Sequence, residues 1–275
     1  MDRRGGGGGC GRFGIAGVIA LIAVIGYFSK SSMNPVTGEK QYVSMSTEQE
    51  VALGLQAAPE MMQQFGGEDQ DPQLQALVDE IGNEVVRNSA AKNSPYRFDF
   101  HLLGDRETIN AFALPGGQIF ITRALMDKLK TRGQLAGVLG HEVGHVVARH
   151  GAEHMAKAQL TQGLTGAAVM ATYDPQNPSS AQTAAMAQMI GGLINLKYGR
   201  DDEIESDVLG VKFLAEANYD PRAMIEVMQI LKEAAGRGRQ PEFFSSHPNP
   251  DNRIQRIQNA IKDQFPNGLP SGLRP

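Results

Sequence analysis

Two histidines four residues apart, with a glutamate directly after the first, lie inside an apolar run: His141-Glu142-Val143-Gly144-His145. Leu135, Val138 and Leu139 precede the five residues, and Val146, Val147 and Ala148 follow them. Such a run predicts a buried helix, on which the two imidazoles stand roughly 40° apart and so reach a common point. Burying two imidazoles and a carboxylate among valines is costly unless they share a partner. H-E-x-x-H on a helix is the pattern in which two imidazoles hold one ion and the glutamate serves as its base. In a chain of this composition it arises by chance on the order of 0.01 times, so a helix that merely solvates two histidines is the weaker reading.

Composition limits what else can hold such an ion. Cys10 is the only cysteine, which excludes an intrachain disulfide and any cysteine-based zinc cluster. The ligands must therefore be drawn from six histidines and the carboxylates. With 26 basic against 30 acidic residues, the net charge of −4 offers no surplus to neutralise phosphates, and nucleic acid is not expected as a partner. The 275 residues suit one folded domain with a short appendage.

A catalytic zinc takes three protein ligands and keeps a position for water. The extended metzincin pattern asks for a glycine and then a third histidine where this chain has Ala148 and Gly151, so that pattern is absent. On a continuing helix His150 points about 140° away from His145, and His154 falls one turn further on the same side. Both, like His101, are expected to be ordinary surface histidines. A carboxylate source lies further on, in Asp201-Asp202-Glu203-Ile204-Glu205-Ser206-Asp207. Glu203 and Asp207 share a helix face, so Glu203 can ligate while Asp207 accepts the distal N–H of a ligating histidine. Taken alone, however, an acidic run of this kind reads as a solvated helix start.

The apolar content is unevenly distributed. Residues 13–29 carry no charge, follow Arg3, Arg4 and Arg12, and precede Lys30. Seventeen residues span roughly 25 Å as a helix, near the lower limit for a hydrocarbon core of about 30 Å. The charge bias places the start of the chain in the cytoplasm and the bulk of it outside. The expected location is the inner membrane, with the domain on the periplasmic side. A cleaved signal leaving a soluble periplasmic protein is the alternative.

The expected organisation is a Gly-rich cytoplasmic tail (1–12), a transmembrane anchor (13–29), a polar linker (30–46), the folded domain (47–265) and a C-terminal tail (266–275). Within the domain, helix starts are predicted near Ser46 and near Asp71-Pro72. Alternation of Phe98, Phe100 and Leu102 with polar neighbours predicts a strand. Residues 109–114, the turn Pro115-Gly116-Gly117 and residues 118–122 predict two more. The fold class is α+β, mainly helical, with a small antiparallel sheet. From Arg123 onward the pattern is helical, and residues 160–196 are read as two tightly packed helices rather than a second span. Nothing in the chain specifies an oligomeric state.

Four stretches together resemble the HtpX/BepA type of membrane-associated zinc metallopeptidase, family forty-eight: residues 110–120, H-E-V-G-H, the E-x-E-S-D stretch at 203–207 and Ser246-His247-Pro248. The likeness covers about residues 46 to 260 and is greatest for the exported BepA-like branch, without that branch's tetratricopeptide repeats. It implies a gluzincin fold, one zinc ion held by His141, His145 and Glu203, and Asp207 orienting a ligand. Glu142 is then the general base on a zinc-activated water. The resemblance further implies that the strand containing Ile119, Phe120 and Ile121, in the segment that begins at Asn110, pairs with an extended substrate. For His247 it implies a fourth ligand or gate that keeps the enzyme latent, against the simpler alternative of a loop histidine bonded to backbone. The expected function is endopeptidase quality control of unfolded or misfolded exported and membrane proteins. A zinc-dependent chaperone or adaptor that seldom cuts is the competing reading.

Overall fold

The computed structural model describes residues 8–170, 197–236, 241–247 and 253–275. Around H-E-x-x-H the chain forms α5 (Arg132–Val147), started by Thr131, whose side chain accepts the Gln134 amide. Every residue of α5 from Gly133 onward is buried. A helix apolar on all sides must be covered on all sides. The cover comes from α3 (Pro72–Asn88), α7 (Arg200–Glu216), α8 (Ala223–Ala235) and a sheet. Asp71 caps α3 by accepting from Gln73 and Leu74, with Pro72 in the first turn. Ser46 and Gln49 close a reciprocal cap on α2 (Thr47–Gln64).

The sheet holds β3 (Asp99–Leu103), β4 (Ala111–Leu114) and β5 (Gln118–Thr122) in the order β3-β5-β4. Strands β4 and β5 form the expected antiparallel hairpin, turned by Gly116 and Gly117 at φ 86° and 109°. Strand β3, however, pairs parallel to β5, so the sheet is mixed rather than antiparallel. Side-chain alternation predicts a strand's faces but carries no information on its direction. The helix α4 (Arg123–Met126) follows β5 directly, started by Thr122.

Residues 30–46 are not a free linker. They form a hairpin, β1 (Ser31–Met33) with β2 (Lys40–Tyr42), docked on the end of α5. Buried Asn34 donates to the Val147 carbonyl at 2.7 Å, and Gln41 donates to the Ala148 carbonyl. Two carbonyls left over at a helix end thereby find side-chain amides. Buried Glu50 of α2 pairs with Arg149 and accepts from the Tyr96 hydroxyl at 2.7 Å, which ties α2 to the same end. The last residues are likewise held in place. Arg274 donates to the Ala217 carbonyl and pairs with Glu84, and the Gly133 amide donates to Pro275.

The apolar N-terminal segment is α1 (Gly8–Ser29), so the helix takes in part of the expected Gly-rich tail, the rest of which lies outside the described residues. Among the described residues no helix is long and apolar enough to cross a membrane. Helix α1 packs along α6 (His150–Met170) and leaves Ile15, Val18, Leu21, Ile22, Ile25 and Phe28 exposed. The expected helix pair at 160–196 lies outside the described residues after Met170.

Candidate metal centre and its buried surroundings

The close approach of α7 to α5 depends on Gly144, where an added Cβ would come within 3.1 Å of the Ser206 carbonyl oxygen. With that spacing, Glu203 and Asp207, both buried, face His141 and His145. Nε2 of His141 and Nε2 of His145 are 3.1 Å apart, and the Glu203 carboxylate reaches them at 3.6 Å and 3.3 Å. One ligand atom each from His141, His145, Glu203 and His247 lies within 4.8 Å of the others, and all four side chains are buried. Two imidazole nitrogens cannot satisfy each other when both present lone pairs, and among the described residues neither Glu203 oxygen has an aligned hydrogen bond. A borderline-soft cation accepting nitrogen and oxygen donors fits this set, and zinc has that preference.

Burial holds the His145 imidazole well below its ordinary value, helped by the neighbouring His141, so its lone pair stays available. Burial also opposes the charged form of Asp207, but the Arg253 guanidinium and His141 outweigh it and take the carboxyl down to about 2. Asp207 Oδ1 lies 3.0 Å from His141 Nδ1, the geometry of a carboxylate that fixes a ligand's tautomer.

Glu142 is fully buried, and among the described residues neither of its oxygens has an aligned hydrogen-bond partner. Its Oε1 lies 3.5 Å from Nε2 of His247. His247 ends the short helix α9 (Phe243–Ser246), stacks on Phe243 at 4.4 Å between centroids and contacts Ser246 Oγ through Nδ1 at 2.9 Å. Burial disfavours its cation, but the Glu142 and Glu203 carboxylates more than offset that and raise its pKa.

Three features of the surroundings differ from the expectations or were missed by them. His150 is not a surface residue: it is buried, with Nδ1 2.9 Å from Nδ1 of His145. The helical projection failed because α5 ends at Val147 and Arg149 turns the chain with φ 59°, so His150 opens a new helix. His154, partly buried, has Nε2 2.6 Å from Asp202. Strand β5, with Ile119, Phe120 and Ile121, is bonded on both sides and has no edge to offer a peptide, whereas β4, which follows Asn110, is an edge strand among the described residues. That edge is covered: the Phe243 amide donates to the Ile109 carbonyl at 3.1 Å, and the Tyr198 hydroxyl reaches the Ala113 carbonyl at 3.5 Å.

Sequence reasoning also missed Arg253, which opens α10 (Arg253–Gln264). It is buried, donates through Nε and Nη2 to both Asp207 oxygens at 2.8 Å, and sets Nη1 2.8 Å from Glu203. A signal existed: position 253 lies on the helix stripe of buried Ile257 and Ala260, where a lone cation needs a buried anion. Tyr198, whose ring stacks on His145 at 3.9 Å, left no comparable signal.

Comparison with known proteins agrees with this arrangement. Residues 72–261 match the model of peptidase family M48. The beta-barrel assembly-enhancing protease of Yersinia pestis is 28% identical over 253 residues, covering 88% of this chain and 50% of that protein. Its Escherichia coli K12 counterpart is 30% identical over 202 residues, 71% of this chain and 40% of that protein. The mitochondrial metalloendopeptidase OMA1 of Schizosaccharomyces pombe is 29% identical over 248 residues, 89% of this chain and 71% of that protein. The chain thus spans half or less of the bacterial relatives' length. With a matched domain that contains the buried His-His-Glu-His cluster, the chain belongs to peptidase family M48, whose members are zinc-dependent metallopeptidases.

Proposed function

We propose that the chain is a zinc endopeptidase acting on unfolded or misfolded exported and membrane proteins, with Glu142 as general base. The observation that carries this reading is the convergence of buried His141, His145 and Glu203 donor atoms beside a buried carboxylate on the same helix. Zinc bound there would supply Lewis-acid polarisation of the scissile carbonyl and of a water molecule. His141, His145 and Glu203 would hold the ion, and Asp207 would fix the His141 tautomer. Glu142 takes the proton of the attacking water and delivers it to the leaving amine nitrogen.

An extended polypeptide would add to the edge of β4, because main-chain pairing selects for an unfolded backbone rather than a particular sequence. To reach that edge it must displace residues 243–247, which cover both the strand and Glu142. His247 is then a gate as well as a fourth donor. The variant His247→Ala is expected to cleave casein several-fold faster than wild type at equal zinc content, and an equal or lower rate would remove the gate.

The segment 13–29 is proposed as an inner-membrane anchor with the domain on the periplasmic side. The three arginines before it and the six large apolar side chains exposed along α1 support that reading. A soluble periplasmic form after cleavage is the alternative.

The function is tested by metal removal. The full chain with zinc is expected to degrade unfolded casein, to lose that activity on chelation, and to regain it when zinc is restored. Casein cleavage that persists in a chelated, metal-free sample would overturn the proposal.

A further inference from the structure

We infer that His150 and Glu205 are positioning residues for His145, joined in a chain that fixes the ring orientation of this ligand. The inference rests on the zinc-site reading above. Nε2 of His145 faces His141 and Glu203, which leaves Nδ1 on the far side of the ring, 2.9 Å from Nδ1 of His150. Nε2 of His150 in turn lies 3.1 Å from Oε2 of Glu205. Only one proton arrangement serves this geometry. A ligating Nε2 is unprotonated, so His145 carries its proton on Nδ1 and donates to His150 Nδ1. His150 then carries its own proton on Nε2 and donates to the Glu205 carboxylate.

Ligating histidines generally donate their second N–H to a carboxylate, a carbonyl or water. His141 follows that rule directly through Asp207, whereas His145 reaches its carboxylate through a second imidazole. One helix, α7, thus supplies a ligand and the support of both histidines, from alternate positions 203, 205 and 207. His150 suits such a role. Its ring is buried, sits edge-on to His145 at 5.0 Å and lies 6.1 Å from Tyr198, which itself stacks on His145. Glu205 lines a surface cavity of about 1060 Å³, so the chain begins in hydrated space and ends at the ion.

The test uses the full chain and two readouts that do not depend on turnover: zinc affinity by competition with a chromogenic chelator, and the visible absorption bands of the cobalt-loaded protein. His150→Leu is expected to weaken zinc binding by about 10- to 100-fold and to alter the cobalt bands. His150→Asn sets an amide oxygen where Nδ1 stood and is expected to recover most of the affinity. Glu205→Ala should give a smaller loss in the same direction. His150→Leu with wild-type affinity and bands would overturn the inference, and so would His150→Asn no better than His150→Leu, which would assign the loss to packing. If His150→Leu does not fold, Glu205→Ala decides: both readouts unchanged overturn the chain. Wild type that binds no zinc would sink the peptidase reading itself, a result distinct from variants that merely match a zinc-binding wild type.

Discussion

Replacing Glu142 with glutamine is expected to lower kcat for casein cleavage by about 10²- to 10⁴-fold, the usual contribution of a positioned general base. The amide keeps the volume of a fully buried side chain. It removes the negative charge and, with it, the capacity to take and release a proton. Glu142 is not among the donor atoms of the cluster, so zinc content should stay at the wild-type level. Measuring both quantities on one preparation separates the base from the ligands, since a histidine variant would lose metal and activity together. Glu142→Gln that cuts casein at the wild-type rate would remove Glu142 from the chemistry. The variant also separates endopeptidase from chaperone. If wild type cuts no unfolded protein while Glu142→Gln assists refolding as well as wild type does, the protein is a binder.

The second large effect is expected at Arg253. Methionine at that position fills similar space but leaves Asp207, and in the metal-free protein Glu203 as well, buried without a cation. Removing one partner from a buried charge network typically costs about 3–5 kcal/mol, because the remaining charge has neither water nor counterion. Burial opposes the Arg253 cation too, but the two carboxylates outweigh it and raise its pKa, so the guanidinium remains charged in place. Denaturant unfolding of Arg253→Met against wild type reads the loss. The further change Asp207→Asn in that background should recover part of it, because an amide tolerates burial better than an unpaired carboxylate. A single variant within about 0.5 kcal/mol of wild type would show that the network is solvated rather than buried.

The legible part of this protein was the part encoded locally. H-E-x-x-H specifies a helix, a shared face and a chemistry in five residues, and Glu203 and Asp207 repeat a helical spacing that the structure turns toward those histidines. The missed features were those set by chain reversal or by contact between distant segments. His150 looked solvated because helical projection assumes an unbroken helix, whereas one residue, Arg149, in left-handed conformation swings it back against His145. The direction of β3 could not be read because alternation is the same in parallel and antiparallel strands. Alternation is equally silent on strand order, and β5 is interior only because β3 lies beside it. Arg253 went unremarked because its anions lie 46 and 50 positions earlier in the chain, where no local spacing links them to it.

The small hairpin ahead of α2 sets the practical boundary of this catalytic unit. A truncation starting at Thr47, where the long helices begin, would retain the whole segment matched to the family and every residue of the metal cluster. It would also strip the side-chain amides of Asn34 and Gln41 from the carbonyls of Val147 and Ala148, which lie just beyond His145. The shortest fragment that preserves the ion-binding helix therefore begins no later than Ser31. The stretch nearest the proposed membrane anchor is thereby part of the enzyme's scaffold rather than a tether that proteolysis could remove without consequence.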